Sequence, residues 1–291
     1  MMENETHKPD ALDCFKAQLS EKDFGVFSRF IYSEFGIKMP PIKRVMLQGR
    51  LLKRIRELGF TTYSEYKDYF FSDEGQANEL LHFLSVVTTN KTDFFREPGH
   101  FIFLKEVVLP EFNNQNSNQP FKVWSAGCSS GEEPYTISMV LNEFERVNPF
   151  FKFEILGTDI SANVLEKATK GIYPMNKTET IPFELKRRYF LKSKDVQTPT
   201  VRVKPILQNR LKLGYLNLMD PYYDIKDTFD LIFCRNVLIY FDRATQEKVI
   251  TKLCNHLKPG GYFFIGHSES LSGMNLPLEH IKPTIFKKIE S

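Results

Sequence analysis

From Phe121 onwards, apolar runs of strand length alternate with amphipathic helical segments, and this alternation restricts the fold more than any other feature of the chain. Repeated strand–helix–strand units build a mostly parallel sheet with helices on both faces, which is the doubly wound α/β architecture. The predicted strands are Phe121–Ala126, Phe153–Thr158, Leu211–Asn217, Phe229–Cys234, Tyr262–Gly266 and Thr284–Lys288. The predicted helices are about Glu133–Arg146, Ser161–Thr169 and Ala244–Leu257.

The earlier part of the chain shows helical periodicity from Glu21 to Thr89 and no convincing strand. The predicted helices there are Lys22–Phe35, Pro41–Leu58, Tyr63–Phe71 and Glu74–Val87. We therefore expect an all-helical domain over residues 1–89, a hinge and linker over 90–120 with a polar loop at 113–119, and the α/β domain over 121–291. The Lys-, Thr- and Pro-rich stretch at about 173–204 is predicted to be an insertion that holds short antiparallel strands.

The second predicted helix carries concentrated positive charge. Between Lys38 and Arg56 there are seven basic residues and no acidic one. A helical projection places three of the basic residues on one face and three apolar residues roughly opposite them. These are Lys43, Arg50 and Arg54 on the first face and Val45, Leu52 and Ile55 on the second. Such a face attracts an acidic partner, although a merely solvated helix surface remains an alternative.

Composition excludes several other classes of protein. The cysteines (Cys14, Cys128, Cys234 and Cys254) are scattered and form no CxxC pair, so we expect neither a metal site nor a disulfide scaffold. The N-terminal residues Met1–Asp13 lack the apolar core of a signal peptide, and charges interrupt every apolar run before membrane-spanning length. We expect a cytoplasmic, monomeric protein that does not insert into membranes.

Chemistry-bearing residues follow the first two predicted strands of the α/β part. In a doubly wound sheet, ligands bind beyond the carboxyl ends of the strands. Gly127 and Gly131 follow the first strand, and Glu133 begins the next helix, so the backbone there either approaches a ligand closely or forms a plain tight turn. Asp159 follows the second strand, where its carboxylate either accepts hydrogen bonds from both hydroxyls of a ribose or caps the next helix.

Polar residues also follow the third and fourth strands. Asn217 and Leu218 suit the edge and the face of an adenine, and Arg235 and Asn236 lie directly after a buried strand. Contacts from four strand ends point to a cofactor that contains adenosine. Before the sheet, Arg96 lies between two predicted domains, where its guanidinium could either clamp a carboxylate or form a structural ion pair.

Five motifs, in this order, resemble the CheR family of chemotaxis receptor methyltransferases over nearly the whole chain, from Glu21 to Ile289. They are NKTDFFRE, VWSAGCSSGEEPYT, GTDIS, FDLIFCRNVLIYFD and LKPGGYFFIGHSES. The resemblance implies an all-helical N-terminal domain, a Rossmann-like S-adenosylmethionine-binding domain and a small antiparallel subdomain inserted in it. It also implies methylation of glutamate side chains on chemotaxis receptors, with S-adenosylhomocysteine as the second product.

The family's site residues carry over by position. The resemblance places cofactor contacts at Asn90, Thr92, Arg96, Glu133, Asp159, Asn217, Leu218, Arg235 and Asn236. It places Arg96 and Tyr240 beside the transferred methyl group, as the catalytic residues. It further implies that the basic helix docks on the acidic methylation helices of receptors, which agrees with the face formed by Lys43, Arg50 and Arg54.

Rival functions remain open from the residues alone. A nucleic-acid methyltransferase would share the Rossmann half, although Asp220-Pro221-Tyr222 is not the D-P-P-Y type of amino methyltransferases, and we expect no nucleic-acid partner. Another protein substrate, or a non-catalytic adaptor with the same fold, are further alternatives. A nicotinamide dehydrogenase is the weakest, because the phosphate-binding glycine fingerprint is missing.

Overall fold

The computed structural model describes residues 18–114 and 119–290, and the chain divides into two compact units, Met1–Thr89 and Asn90–Ser291. The N-terminal segment Met1–Asp13, Cys14 and most of the predicted polar loop at 113–119 lie outside the described residues. Within the described residues, no helix is both long and apolar enough to cross a membrane.

The first unit is built from amphipathic helices. They are α1 (Glu21–Phe35), α2 (Arg44–Glu57, preceded by a 3-10 turn at Pro41–Lys43), α3 (Tyr63–Phe70) and α4 (Asp73–Val87). Ser20 caps the start of α1, and Gly36 ends it in a left-handed conformation with φ 68°. Phe27, Tyr66, Phe70 and Phe83 are fully buried and stack against one another, so aromatic packing forms the centre of this unit.

Helix α2 does not orient its faces as predicted. Its buried side chains are Leu47, Leu51 and Ile55, whereas Val45, expected on the packed side, is 74% exposed. Positions 47 and 51 are four residues apart, and so are positions 50 and 54, so each pair lies on one row along the helix. The two rows are adjacent to each other. The prediction that the basic face lies opposite the packed face is therefore wrong: Arg50 and Arg54 border the buried face.

Both of these arginines bind within the helical unit. Arg54 donates from Nε and Nη2 to the Glu79 carboxylate at 2.6–2.9 Å, and Glu79 is only 1% exposed. The Tyr66 hydroxyl donates to the same carboxylate at 3.1 Å. Arg50 donates to the carbonyl of Val87, at the carboxyl end of α4, and to Thr89 Oγ1. The two guanidinium groups therefore hold α2 against α4.

Arg54→Ala is expected to destabilise the protein by about 3–5 kcal/mol, because it leaves the Glu79 carboxylate buried without its counter-charge. Urea denaturation followed by far-ultraviolet circular dichroism measures the loss. Lys53→Ala is the matched control, since the Lys53 side chain is 85% exposed and contacts only Glu57 at 3.8 Å; it should change the free energy of unfolding by less than about 0.5 kcal/mol. Equal unfolding midpoints for the two variants would contradict this account of Glu79.

The second unit contains a seven-stranded sheet of order β6-β2-β1-β7-β8-β10-β9. Its strands are β1 (Phe121–Ala126), β2 (Phe153–Asp159), β6 (Leu211–Tyr215), β7 (Phe229–Cys234), β8 (Leu257–Ile265), β9 (Leu278–Lys282) and β10 (Ile285–Lys288). The pairs from β6 to β8 are parallel, and β10 pairs antiparallel with β8 and β9. The predicted doubly wound, mostly parallel sheet is confirmed.

Helices cover both faces of this sheet. They are α7 (Glu132–Val147), α8 (Ala162–Lys170), α10 (Pro205–Gln208) and α11 (Arg243–Asn255). Ile137 and Leu141 of α7 pack in one core with Val123, whereas Leu253 of α11 packs in the other core with Trp124. Neighbouring residues of β1 thus serve opposite cores, as the alternation of a strand requires. The Trp124 indole also donates to Thr158 Oγ1 at 2.9 Å.

A small second sheet interrupts the α/β unit between β2 and β6. Its antiparallel strands are β3 (Ile172–Pro174), β4 (Phe190–Lys192) and β5 (Thr200–Val203), in the order β3-β5-β4, with helix α9 (Phe183–Tyr189) and a 3-10 turn at Met175–Thr178 beside them. The prediction of short antiparallel strands in this insertion is confirmed.

Helices occupy much of the described part of residues 90–120, for which the sequence predicts a hinge and linker. Helix α5 (Pro98–Phe103) continues through a π-helical turn (Leu104–Val108) into α6 (Leu109–Asn114). Leu104 and Leu109 are fully buried in the core that also contains Phe121. The Pro98-Gly99 pair resembles a loop, but proline is well suited to the first turn of a helix, and here it begins one.

Candidate active site

The turn after β1 brings backbone to the carboxyl edge of the sheet in conformations that side chains rarely allow. Gly127, Ser129 and Gly131 have φ values of 83°, 49° and 97°. A Cβ atom on Gly127 would lie 2.4 Å from Val237 Cγ2, and one on Gly131 would lie 2.8 Å from the Tyr173 hydroxyl. Both glycines are therefore required by close packing as well as by their backbone conformation.

Asp159 ends β2 directly beside this turn. Its Oδ2 accepts from the backbone N–H of Ser129 and its Oδ1 from that of Ser161, both at 2.9 Å. Burial raises the pKa of this carboxyl, while the backbone hydrogen bonds lower it; burial prevails. Asp159 therefore joins the turn to the start of α8. Ile160 makes a third backbone hydrogen bond to this carboxylate, so about one of its four acceptor sites is left for another donor.

Arg235, at the end of β7, lies between two carboxylates. Its Nη1 donates to Glu133 Oε2 and its Nη2 to Glu97 Oε2, both at 2.9 Å, and its side chain is almost completely buried. Burial raises the pKa of Glu133 despite the charge of Arg235. Burial also acts to raise the pKa of Glu97, but the charge and hydrogen bonds of Arg235 outweigh it, so this pKa lies below its ordinary value.

The segment from Asn90 to Glu97 is tied to this edge mainly through its backbone. Arg235 Nη2 donates to the carbonyl of Arg96, Ser129 Oγ donates to that of Asn90, and Lys177 Nζ donates to that of Thr92. The Arg96 side chain donates from Nη1 to the carbonyl of Lys91 at 3.0 Å. Its guanidinium is partly exposed, and most of its donors are therefore available to a ligand.

A further carboxylate, that of Glu269, holds the loop after β7 in place. It accepts from the backbone N–H of Asn236 (3.0 Å), Gly266 (2.6 Å) and Ile239 (3.3 Å). Asn236 itself has φ 59° and donates from Nδ2 to Glu97 Oε1 at 3.3 Å. The 3-10 turn Leu238–Tyr240 follows, so Glu269 fixes the backbone that presents Tyr240.

Asn217 and Leu218 follow β6. Asn217 Oδ1 accepts from the backbone N–H of Met219 at 3.0 Å, and Asn217 is partly exposed. Leu218 is buried in the core with Trp124, and its carbonyl accepts from the Tyr223 hydroxyl and from Lys252 Nζ. The Asn217 side chain is thus more accessible to a ligand than that of Leu218.

The structure thus brings several predicted site residues to the carboxyl edge of the sheet in three hydrogen-bonded groups. Ser129 joins Asp159 to Asn90, Lys177 donates to Thr92, and Arg235 joins Arg96, Glu133 and, through Glu97, Asn236. Asn217 and Leu218 follow β6, and Tyr240 follows β7, at the same edge. Lys43, Arg50 and Arg54 belong to the helical unit.

Sequence reasoning missed Glu97 and Glu269, which carry much of this network. Their signal in the sequence is weak, because an isolated glutamate in a loop resembles any solvated acid. Glu97 does lie three residues before His100, a spacing that places both side chains on one side of a helical turn. Burial and backbone partners, which only the fold supplies, distinguish these two carboxylates.

Comparisons with known proteins agree with this geometry. The family model of the CheR methyltransferase SAM-binding domain matches residues 90–287, and that of the CheR methyltransferase all-alpha domain matches residues 22–88. A chemotaxis protein methyltransferase of Borreliella burgdorferi is 40% identical over 266 residues, which are 89% of this chain and 92% of the relative. The protein of that name in Salmonella typhimurium is 36% identical, over 88% of this chain and 86% of its own length.

Proposed function

Because this chain belongs to the CheR methyltransferase family and carries its S-adenosylmethionine-binding domain, we propose that it methylates glutamate side chains on chemotaxis receptors. The observation that carries the proposal is the arrangement of residues at the carboxyl edge of the sheet. Asp159, Arg96 and Asn236 lie there near the turn after β1, in which Gly127 and Gly131 leave the backbone uncovered. The relatives named chemotaxis protein methyltransferases support the same class of substrate.

The residues at this edge fit the cofactor. The remaining acceptor capacity of the Asp159 carboxylate suits a ribose hydroxyl, and Asn217 with Leu218 suits an adenine. Arg96 has donors available for the cofactor's carboxylate, and Asn90, Thr92 and Asn236 line the same loops. Arg235 and Glu133 satisfy each other, so we assign them mainly to holding these loops in place.

The chemistry requires positioning more than acid–base groups. A glutamate carboxylate is already ionised near pH 7, and the sulfonium of the cofactor supplies an activated methyl group. Attack of a carboxylate oxygen on that methyl forms the ester while the carbon–sulfur bond breaks, and the electron pair goes to sulfur in S-adenosylhomocysteine. Arg96 and Tyr240 are proposed to orient the incoming carboxylate in line with that bond.

Helix α2 is proposed to dock on the acidic methylation helices of receptors. The exposed basic side chains of the helix are Lys53 and Arg56, and the half-buried Lys43 lies in the 3-10 turn directly before it; we call these three residues the α2 basic surface. Arg50 and Arg54 add positive potential, but their guanidinium groups are engaged with α4, so they contribute mainly by holding the helix. We place this encounter in the cytoplasm, with the enzyme as a monomer.

Incubation with methyl-labelled S-adenosylmethionine and membranes that bear unmethylated chemoreceptors tests the proposal. We expect label on the receptor that mild base releases as methanol, as a carboxyl methyl ester requires. Absence of label, although calorimetry shows cofactor binding, would move the substrate to another protein or to nucleic acid.

Reversal of the α2 basic surface, Lys43→Glu with Lys53→Glu and Arg56→Glu, is expected to slow receptor methylation by roughly 10- to 100-fold, at about 0.5–1 kcal/mol for each charge. The dissociation constant for the cofactor should not change. The matched control reverses three exposed lysines of the other unit, Lys105, Lys226 and Lys248, and so changes net charge equally. Equal rates for the two triple variants would refute docking through α2.

A further inference from the structure

Three potential metal ligands meet beside the candidate active site. Glu97, His100 and His267 each offer a ligand atom, and these atoms all lie within 4.8 Å of one another. Glu97 Oε2 lies 3.6 Å from His100 Nδ1 and 3.9 Å from His267 Nε2. All three residues belong to the same unit, with Glu97 and His100 at the start of α5 and His267 directly after β8.

Hydrogen bonding determines which nitrogen of His100 carries the proton. The Thr284 hydroxyl donates to the carbonyl of Pro283 at 2.6 Å, so towards His100 its oxygen can only accept. His100 Nε2, 2.8 Å from that oxygen, is then the N–H donor. In a neutral imidazole this leaves Nδ1 with a bare lone pair, and Nδ1 is buried without a hydrogen-bond partner in the part of the chain that the structure describes.

A bare nitrogen lone pair that faces a carboxylate is unfavourable unless a cation lies between them. We propose that Glu97, His100 and His267 form a site for a divalent first-row metal ion of the Zn²⁺ type. Ligand atoms about 2.0–2.1 Å from a tetrahedral zinc lie roughly 3.3 Å apart. The Glu97–His100 separation of 3.6 Å is close to this value, whereas His267, 3.9 Å from Glu97 and within 4.8 Å of His100, has to move towards both. His267 is able to make that adjustment, because its side chain is 61% exposed.

The surroundings resemble those of protein metal sites in two respects. The ligands are supported by further hydrogen bonds: Thr284 accepts from His100 Nε2, while the backbone N–H of His267 and the side chain of Asn236 donate to Glu97 Oε1. His267 also lines a cavity of about 580 Å³, which gives water access to the imidazole. Three protein ligands with an open position are typical of accessible zinc sites.

Arg235 limits the affinity of this site. Its Nη2 and Nε donate to Glu97 Oε2, the same oxygen that would bind the metal, at 2.9 and 3.3 Å. A metal at this oxygen would therefore displace the longer of the two hydrogen bonds, which lowers the affinity of the site, although Glu133 offsets part of the charge of Arg235. Metal binding would compete with Arg235 and Asn236 for Glu97, and it should therefore inhibit methyl transfer. This last consequence rests on the proposed function.

Titration of the metal-free full chain with Co²⁺, without cofactor or receptor, tests the site directly. We expect one equivalent to give the visible absorption of a low-coordinate Co²⁺–imidazole site, and Zn²⁺ to displace it. His267→Gln should weaken Co²⁺ binding at least about 10-fold, whereas His280→Gln, an exposed histidine outside the cluster, should leave it unchanged. No absorption in the parent protein, or equal affinity in the two variants, would overturn the proposal.

Inhibition is measured separately from binding. Zn²⁺ is expected to inhibit methylation by the parent protein at concentrations that leave the His267→Gln variant active. Co²⁺ binding in a protein that methylates no receptor would retain the metal site and reject the proposed function. The opposite result, methylation without metal binding, would reject only the metal site.

Discussion

Arg235→Met is expected to lower the free energy of unfolding by about 3–5 kcal/mol and to slow methyl transfer by at least about 100-fold. Methionine keeps much of the volume of arginine but leaves two mostly buried carboxylates, Glu97 and Glu133, side by side without their shared cation. It also removes the donor that holds the carbonyl of Arg96. The loop that carries Arg96 then loses its attachment to β7, and small displacements in an active site reduce rates strongly.

Denaturation of the protein measures the predicted loss of stability, and a methylation assay on the same preparation measures the predicted loss of rate. The matched control is Arg210→Met, because Arg210 pairs with Glu145 well away from the carboxyl edge and its side chain is 34% exposed. The control should cost about 1 kcal/mol or less and keep its activity. If Arg235→Met retained the activity of the control, the buried pairs would not be what positions Arg96.

Asp159→Ala is expected to weaken cofactor binding by about 3 kcal/mol or more, roughly 100-fold, because each hydrogen bond to a charged acceptor contributes about 1.5–3 kcal/mol. The change removes the proposed acceptor for the ribose and also frees the N–H groups of Ser129 and Ser161. Calorimetric titration with S-adenosylhomocysteine measures the affinity without any receptor.

Two further variants separate ribose binding from loop structure. Asp159→Asn keeps one carbonyl oxygen in place and should bind the cofactor more tightly than Asp159→Ala. Asp224→Ala removes an exposed aspartate near the same edge and should bind it normally. Near-normal affinity in Asp159→Ala would remove Asp159 from the ribose site and leave it with a purely structural role.

The two central strands, β1 and β7, could be predicted closely because they are buried on both faces. Strands β1 and β7 have the predicted bounds, Phe121–Ala126 and Phe229–Cys234, since both lie in the middle of the sheet and read as apolar runs with clear ends. Strand β9 was not predicted, because this edge strand is mostly exposed and shows no apolar alternation. The alternation of Leu211, Lys212 and Leu213 still revealed β6 at the other edge of the sheet, so a strand escapes prediction where its apolar pattern is missing.

The faces of α2 show a different limit. Val45, Leu52 and Ile55 were assigned to the packed side because all are apolar, but of these only Ile55 is buried, together with Leu47 and Leu51, and the long arginine side chains border that side. Arginine can pack its aliphatic part against a core while its guanidinium finds a buried acid such as Glu79. Residue type alone does not distinguish an arginine that pairs with a buried acid from an arginine that is solvated.

At the site, the positions were easier to predict than the roles. Asp159, Glu133 and Arg235 lie at the carboxyl edge because strand ends in an α/β sheet must meet there. The pairing of Arg235 with Glu133 and Glu97 depends on loops about a hundred residues apart in the sequence, which no local pattern reports. The cofactor roles of these residues stay predictions until the affinities above are measured.

The single tryptophan has a spectroscopic consequence. Trp124 is fully buried in β1, and its indole donates to Thr158, the residue before Asp159. Tryptophan fluorescence therefore originates in the α/β unit alone. The indole lies close to the proposed ribose acceptor, because its hydrogen-bond partner Thr158 directly precedes Asp159. The protein thus carries an intrinsic optical reporter of that unit, and melting of the helical unit by itself would leave no direct signal in tryptophan emission.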